Sequence, residues 1–98
     1  MEKAVFLDRD GTLIRAIPRI YFDYSFTAPF LLSEVEFIDG VEHMFAALKR
    51  LNFLRIMVTN QPDVRRGFVT EDEWSAIQAS VTRHLEFEDV FMCRHIPE

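Results

Sequence analysis

Cysteine is almost missing: Cys93 stands alone in 98 residues, so the chain can form no disulfide within itself. No apolar run approaches the ~20 residues that a membrane helix needs. The opening Met1–Leu7 stretch meets charge at Asp8, too early for the hydrophobic region of a signal peptide. These shortages together point to a reducing, cytoplasmic setting away from a membrane. Basic residues are outnumbered, and the net charge of −5 excludes a general nucleic-acid binder, which needs a basic face to neutralise phosphates. A small phosphorylated metabolite stays open as a partner, provided a metal ion and local arginines offset the charge. No repeat or low-complexity segment is present. With 49% apolar and 28% charged residues, the composition is that of one globular domain with a modest core.

What is there alternates between two periods. Ala4–Leu7 is a continuous apolar run ending at Asp8-Arg9-Asp10-Gly11, the pattern of a strand buried on both faces. Residues 15–34 show no period and hold Pro18, Pro29, Tyr21, Phe22, Tyr24, Phe26 and Phe30. They are expected to form a long loop, either a lid over a site or a cover for a core edge. Asp39 and Glu42 have capping-box spacing, and Val41, Met44, Phe45, Leu48 and Leu51 form one helical stripe. Asn52 suits the left-handed position after that helix. Leu54–Val58 is a second strand, ending at Thr59-Asn60. Thr70 and Glu73 cap a second helix, carried by Trp74, Ile77, Val81 and Leu85. Val90–Cys93 is a third apolar run. His43 and His84 fall on the helices with no partner evident.

Strands alternating with helices imply an α/β fold, a Rossmann-like parallel sheet with flanking helices. In such sheets ligands bind beyond the carboxyl ends of the strands. Residues Asp8–Thr12, Thr59–Gln61 and Cys93–His95 therefore meet at one rim.

Asp8 and Asp10 admit two readings. Asp-Gly is a common turn dipeptide, so the segment is an ordinary turn on one of them. On the other, one carboxylate attacks phosphorus and the second handles the leaving-group proton. Two close carboxylates then invite a hard cation such as Mg²⁺. Gly11 frees the turn so that amide N–H groups can face an anion. Thr12, Thr59, Asn60 and Gln61 add donors. An EF-hand loop is excluded by the lack of carboxylates over Thr12–Arg15.

Phe6-Leu7-Asp8-Arg9-Asp10-Gly11-Thr12-Leu13 closely resembles the first motif of the haloacid dehalogenase (HAD) superfamily of phosphohydrolases. Val58-Thr59-Asn60-Gln61, with Val64, Arg66, Gly67 and Thr70 after it, resembles the second motif and its loop. Phe37-Ile38-Asp39-Gly40-Val41 matches the branch that holds heptose bisphosphate phosphatases and histidinol phosphatases. The resemblance runs from about Ala4 to Pro97. It implies a Mg²⁺-dependent phosphomonoester hydrolase acting through an aspartyl-phosphate, on a sugar (heptose) bisphosphate or histidinol phosphate. Asp8 would be the nucleophile and a Mg²⁺ ligand. Asp10 would be the general acid and base, binding Mg²⁺ through its backbone carbonyl. Thr59 would hold the transferring phosphoryl group. Gly11, Thr12, Asn60 and Gln61 would contact substrate.

Arg66 matches an arginine of the branch, reaching a second phosphate; read alone it is a solvated loop charge. Pro62-Asp63 departs from the Ser-Gly common in the heptose enzymes and removes an N–H and a hydroxyl from that loop. Cys93 and His95 resemble the first half of the branch's structural zinc site; read alone they are a packed thiol and a solvated imidazole. The third-motif lysine, the fourth-motif carboxylates and the remaining zinc cysteines have no counterpart here. Residues 1–98 are therefore expected to be the N-terminal part of a single HAD-like phosphatase domain, truncated after the third strand and monomeric when whole. Such a chain would expose a sheet edge and an apolar face. A catalytically incomplete fragment that binds phosphate or a partner is the alternative, and a response-regulator-like domain fits the second motif poorly.

Overall fold

The computed structural model describes residues 3–19 and 26–93. Its centre is a parallel sheet in the order β1-β4-β5, formed by Lys3–Leu7, Phe53–Asn60 and Asp89–Cys93. Leu7 lies beside Met57, and Asn60 lies beside Cys93. The carboxyl ends of all three strands therefore open on one rim, as the alternating pattern requires. Helices α1 (Val41–Arg50) and α2 (Glu71–His84) supply the crossovers.

Strand alternation turns Arg55, Met57 and Thr59 of β4 inward, where all three are buried. Leu7 and Met57 share a core with Val41 and Phe45 of α1, Val81 of α2 and Leu85 just after it. Leu13 and Ile14 close the core from the turn after β1 and have no exposed surface. The opposite face of the sheet is open among the described residues: Phe6 is 65% exposed and Phe91 54%. The pattern of β1 promises burial on both faces, but only one is covered by helices. No described helix is long and apolar enough to cross a membrane.

The caps differ in part from their sequence signals. Thr70 caps α2 as expected, its hydroxyl accepting from Glu73 N at 3.1 Å. Asp39 does not cap α1. Gly40 takes the N-cap at φ +87, a left-handed conformation that glycine adopts without strain, and Asp39 points to solvent. Glu42 is thereby released to meet His84 Nε2 at 2.7 Å, and His84 also stacks on Phe37 at 4.0 Å. The histidine that lacks a partner in sequence thus joins the two helices. Asn52 adopts φ 62, as expected after a helix end.

Residues 15–34 are more ordered than their composition suggests. Ile17–Pro18 (β2) pairs antiparallel with Phe26–Thr27 (β3), and Leu32–Glu34 forms a 3-10 turn. Tyr21, Phe22 and Tyr24 lie outside the described residues. Arg19 ties the segment together. Its guanidinium donates to Glu34 at 2.7 Å twice and to Thr27 Oγ1 at 3.0 Å, and lies over the Phe30 ring. The Arg19 hydrogen bonds hold the Glu34 carboxyl below its ordinary value of 4.5, against the opposing effect of burial. A depressed carboxyl stabilises the fold above the unfolded pKa and loses that contribution as pH falls through the folded value. Glu34→Gln is therefore expected to lower the melting temperature at pH 7 by roughly 5 °C, the equivalent of about 1 kcal/mol in a domain this small. The gap to the parent should close as pH drops below 4.5. A gap that is constant with pH in calorimetric scans would count against the ion pair as its source.

Candidate functional site

The rim begins where β1 stops. Gly11 at φ +80 turns the chain sharply, with its N–H donating to Ile14 O at 2.8 Å, while Leu13 N and Ile14 N both donate to Arg9 O. This turn leaves Asp8, Gly11 and Thr12 exposed and sends Leu13 and Ile14 into the core. Asp8 Oδ1 accepts from Arg9 N at 2.8 Å, which steadies the carboxylate without covering it. The Asp10 side chain is less open, at 21% exposure.

Asp10 is held on both oxygens. Oδ1 accepts from Arg9 Nε at 3.0 Å, and Oδ2 accepts from Gln61 Nε2 at 2.6 Å. The same Gln61 nitrogen donates to Thr59 Oγ1 at 2.6 Å. One amide group therefore joins the ends of β1 and β4. Because the Thr59 oxygen accepts from Gln61, its own hydrogen remains available to donate toward the rim.

Gln61 occupies a different place from the one its sequence position suggests. It is 1% exposed, and its carbonyl accepts from Arg9 Nη2 at 2.7 Å. With both ends of the amide engaged, it lies beneath Asp10 and Thr59 rather than facing a substrate. Asn60, by strand alternation, stays exposed and lines a cavity of about 170 Å³ with Asp10, Phe26, Asp63 and Arg66. The aromatic loop contributes to the cavity wall: Phe26 lines it, and Phe30 packs at 5.5 Å on Phe68, which lines it too. A larger recess of about 490 Å³ lies between the 3-10 turn and α2, away from the carboxylates.

Asp63 is the unusual member of the cavity wall. Burial pushes its carboxyl upward; the positive charge of Arg66 opposes that rise, and the negative charge of Asp10 adds to it. At the third strand, Cys93 is exposed and its carbonyl accepts from Gln61 N at 2.5 Å. His95 lies outside the described residues. Among the described residues no three His, Cys, Asp or Glu side chains gather as a metal centre.

Two residues of this site are inconspicuous in sequence. Arg9 is 1% exposed and Gln78, on α2, is 8% exposed; Arg9 Nη1 donates to Gln78 Oε1 at 3.0 Å. The available signal is Gln78 itself, a polar residue on the stripe of Trp74, Ile77 and Val81 that α2 buries.

No family model matches the chain. Among curated proteins, the D-glycero-beta-D-manno-heptose-1,7-bisphosphate 7-phosphatase of Haemophilus influenzae is 32% identical over 107 residues, covering 100% of this chain and 51% of its own length. The Escherichia coli K12 protein of the same name is 31% identical, covering 97% of this chain and 48% of its own length. Among solved structures, a D,D-heptose 1.7-bisphosphate phosphatase from B. bronchiseptica, complexed with magnesium and phosphate, superposes with TM-score 0.76 at 24% identity. That match covers 98% of this chain and 52% of the other. A putative HAD-like phosphatase from Mesorhizobium loti gives TM-score 0.70 at 27% identity, covering 96% and 43%. The chain spans about half the length of the curated relatives it matches. Over that span it is homologous to the HAD-like heptose bisphosphate phosphatases and has their parallel-sheet fold.

Proposed function

We propose that this chain carries the nucleophile and the acid–base group of a Mg²⁺-dependent phosphomonoester hydrolase acting on a small phosphorylated metabolite, a heptose bisphosphate in the first instance. The observation that carries the reading is the meeting of Asp8, Asp10 and Thr59 at the ends of two adjacent parallel strands, with one Gln61 amide bridging the last two. The names of the relatives favour the heptose substrate over histidinol phosphate.

In this mechanism Asp8 attacks phosphorus. A bond forms between its carboxylate oxygen and phosphorus as the ester P–O bond breaks. Asp10 gives a proton to the leaving oxygen. Asp10 then takes a proton from water, which attacks the aspartyl-phosphate and releases phosphate and free Asp8. Thr59 donates its hydroxyl hydrogen to a phosphoryl oxygen, and Gly11, Thr12 and Asn60 line the approach. Arg66, in the cavity wall, is the group suited to a second phosphate.

The donors fit magnesium in part. Mg²⁺ prefers oxygen ligands and is commonly held by one or two carboxylates, with water and phosphate oxygens completing the octahedron. Asp8 and Asp10 offer such oxygens. When bound, the ion would neutralise charge on the phosphoryl oxygens. The B. bronchiseptica protein, complexed with magnesium and phosphate, supports that assignment. For zinc, Cys93 is the one member of the Cys93–His95 pair among the described residues, and a structural zinc needs four ligands.

A second reading is a catalytically incomplete fragment that binds phosphate without turning it over. It is favoured by the lack of a group of three metal-ligating side chains among the described residues. The purified chain with Mg²⁺ and a heptose bisphosphate is therefore expected to release phosphate slowly, by about 10²-fold or more below a site with its full set of charge-stabilising donors. Turnover at rates typical of complete phosphatases would overturn the incomplete-site expectation. Calorimetric titration with phosphate that shows Mg²⁺-dependent binding without any release would favour the second reading.

A further inference from the structure

We propose that Arg9 and Gln78 are positioning residues that aim the Asp10 carboxylate at the leaving group. The inference rests on the acid–base reading of Asp10 given above. Arg9 spends its whole guanidinium beneath the rim. Nε meets Asp10 Oδ1 at 3.0 Å, Nη2 meets Gln61 Oε1 at 2.7 Å, and Nη1 meets Gln78 Oε1 at 3.0 Å. Gln61 returns to Asp10 Oδ2 at 2.6 Å, which closes a ring around the carboxylate. A carboxylate with a donor on each oxygen cannot rotate about χ2 without breaking one of them. The ring is anchored to β4 through the Gln61–Thr59 hydrogen bond and to α2 through Gln78, on that helix's packed face, whose Nε2 lies 3.6 Å from Met57 Sδ.

The burial is informative. A planar, multi-donor cation 1% exposed is costly unless every donor direction is met. Gln78 accepts from Nη1, the one guanidinium nitrogen that Asp10 and Gln61 leave without an acceptor. A core helix face gains nothing in packing from a glutamine over a methionine of similar volume, so the amide is explained by the hydrogen bond it makes to Arg9.

The test compares Gln78→Met, which removes the acceptor, with Gln78→Glu, which keeps it; Gln78→Ala, which admits water to Arg9, serves if the methionine variant does not fold. The first readout needs no turnover. Arg9 Nε–H and the Gln61 side-chain amide should give protected ¹⁵N-NMR signals in the parent, and Gln78→Met should exchange them about tenfold faster or more while melting as a folded domain. The second readout uses leaving groups. Release from a sugar phosphate, whose leaving oxygen needs a proton, should fall about tenfold, a fraction of what general acid catalysis contributes. Release from p-nitrophenyl phosphate, whose leaving group needs none, should stay within about twofold, because the acid contributes little there. Gln78→Glu should recover both.

Unchanged protection overturns the brace. Lost protection with equal losses on both substrates overturns positioning and leaves only a structural role. If Asp8→Asn keeps full turnover, the reading of the whole site fails instead, a result independent of either Gln78 outcome.

Discussion

Asp8→Asn is expected to abolish a Mg²⁺-dependent beryllofluoride adduct and to reduce phosphate release to that of buffer. Beryllofluoride binds a carboxylate oxygen as a phosphoryl group does, so its ¹⁹F signal reports the nucleophile without requiring turnover. The expected loss is large because an amide oxygen is neutral and a poor nucleophile. A nucleophile that works in concert with its partners is worth on the order of 10⁴ to 10⁶ in kcat. The fold should survive: Asp8 is exposed, and its one described side-chain bond is from the adjacent Arg9 N–H. Asparagine offers that N–H an oxygen of the same shape. An adduct of undiminished intensity in Asp8→Asn would move the nucleophile elsewhere, and Asp10 would be the next carboxylate to test.

The largest effect on stability is expected at Met57. It has no exposed surface, lies at the centre of β4, and packs in the core shared by both helices. Met57→Ala should cost about 2–5 kcal/mol, the lost transfer energy plus the cavity left behind. At roughly 4–8 °C per kcal/mol for a domain of this size, the melting temperature should fall by about 8–40 °C. The upper end would leave little folded protein, since domains of this size hold only about 5–15 kcal/mol. The substitution also removes the sulfur beneath Gln78, so the protected Arg9 signal should weaken with it. A change of less than about 1 kcal/mol in urea titrations would mean that the helices collapse into the space, which the sheet they share makes unfavourable.

Much of this molecule is legible residue by residue. The strands are visible because each contains a short apolar run, and the first two runs end at the polar residues that build the rim. The first helix is visible because its stripe repeats at the helical period, and Thr70 is visible as a cap because its partner lies three residues away. The paired motifs around Asp8 and Thr59 belong to the same class of signal: each is contiguous, and strand order alone brings their ends together.

What needed three dimensions is whatever depends on contacts between distant residues or on a choice between two local solutions. The Asp39 cap is such a choice. Aspartate and glycine both suit a helix start, and the glycine takes the position because the chain enters at a positive φ. The coverage of one sheet face but not the other follows from where both helices pack, which no strand's own pattern records. Gln61 belongs here too: its place beneath Asp10, rather than against substrate, follows from strand alternation plus a buried arginine that its own segment does not contain. The Arg9–Gln78 bond spans 69 residues, and its logic is electrostatic: a buried guanidinium must satisfy its donors wherever the fold offers acceptors. Residue order decided the strand ends and the chemistry set along them, because those signals are local. Packing decided how the acid–base carboxylate is held, because a charge removed from water takes its partners from whatever the tertiary fold brings beside it.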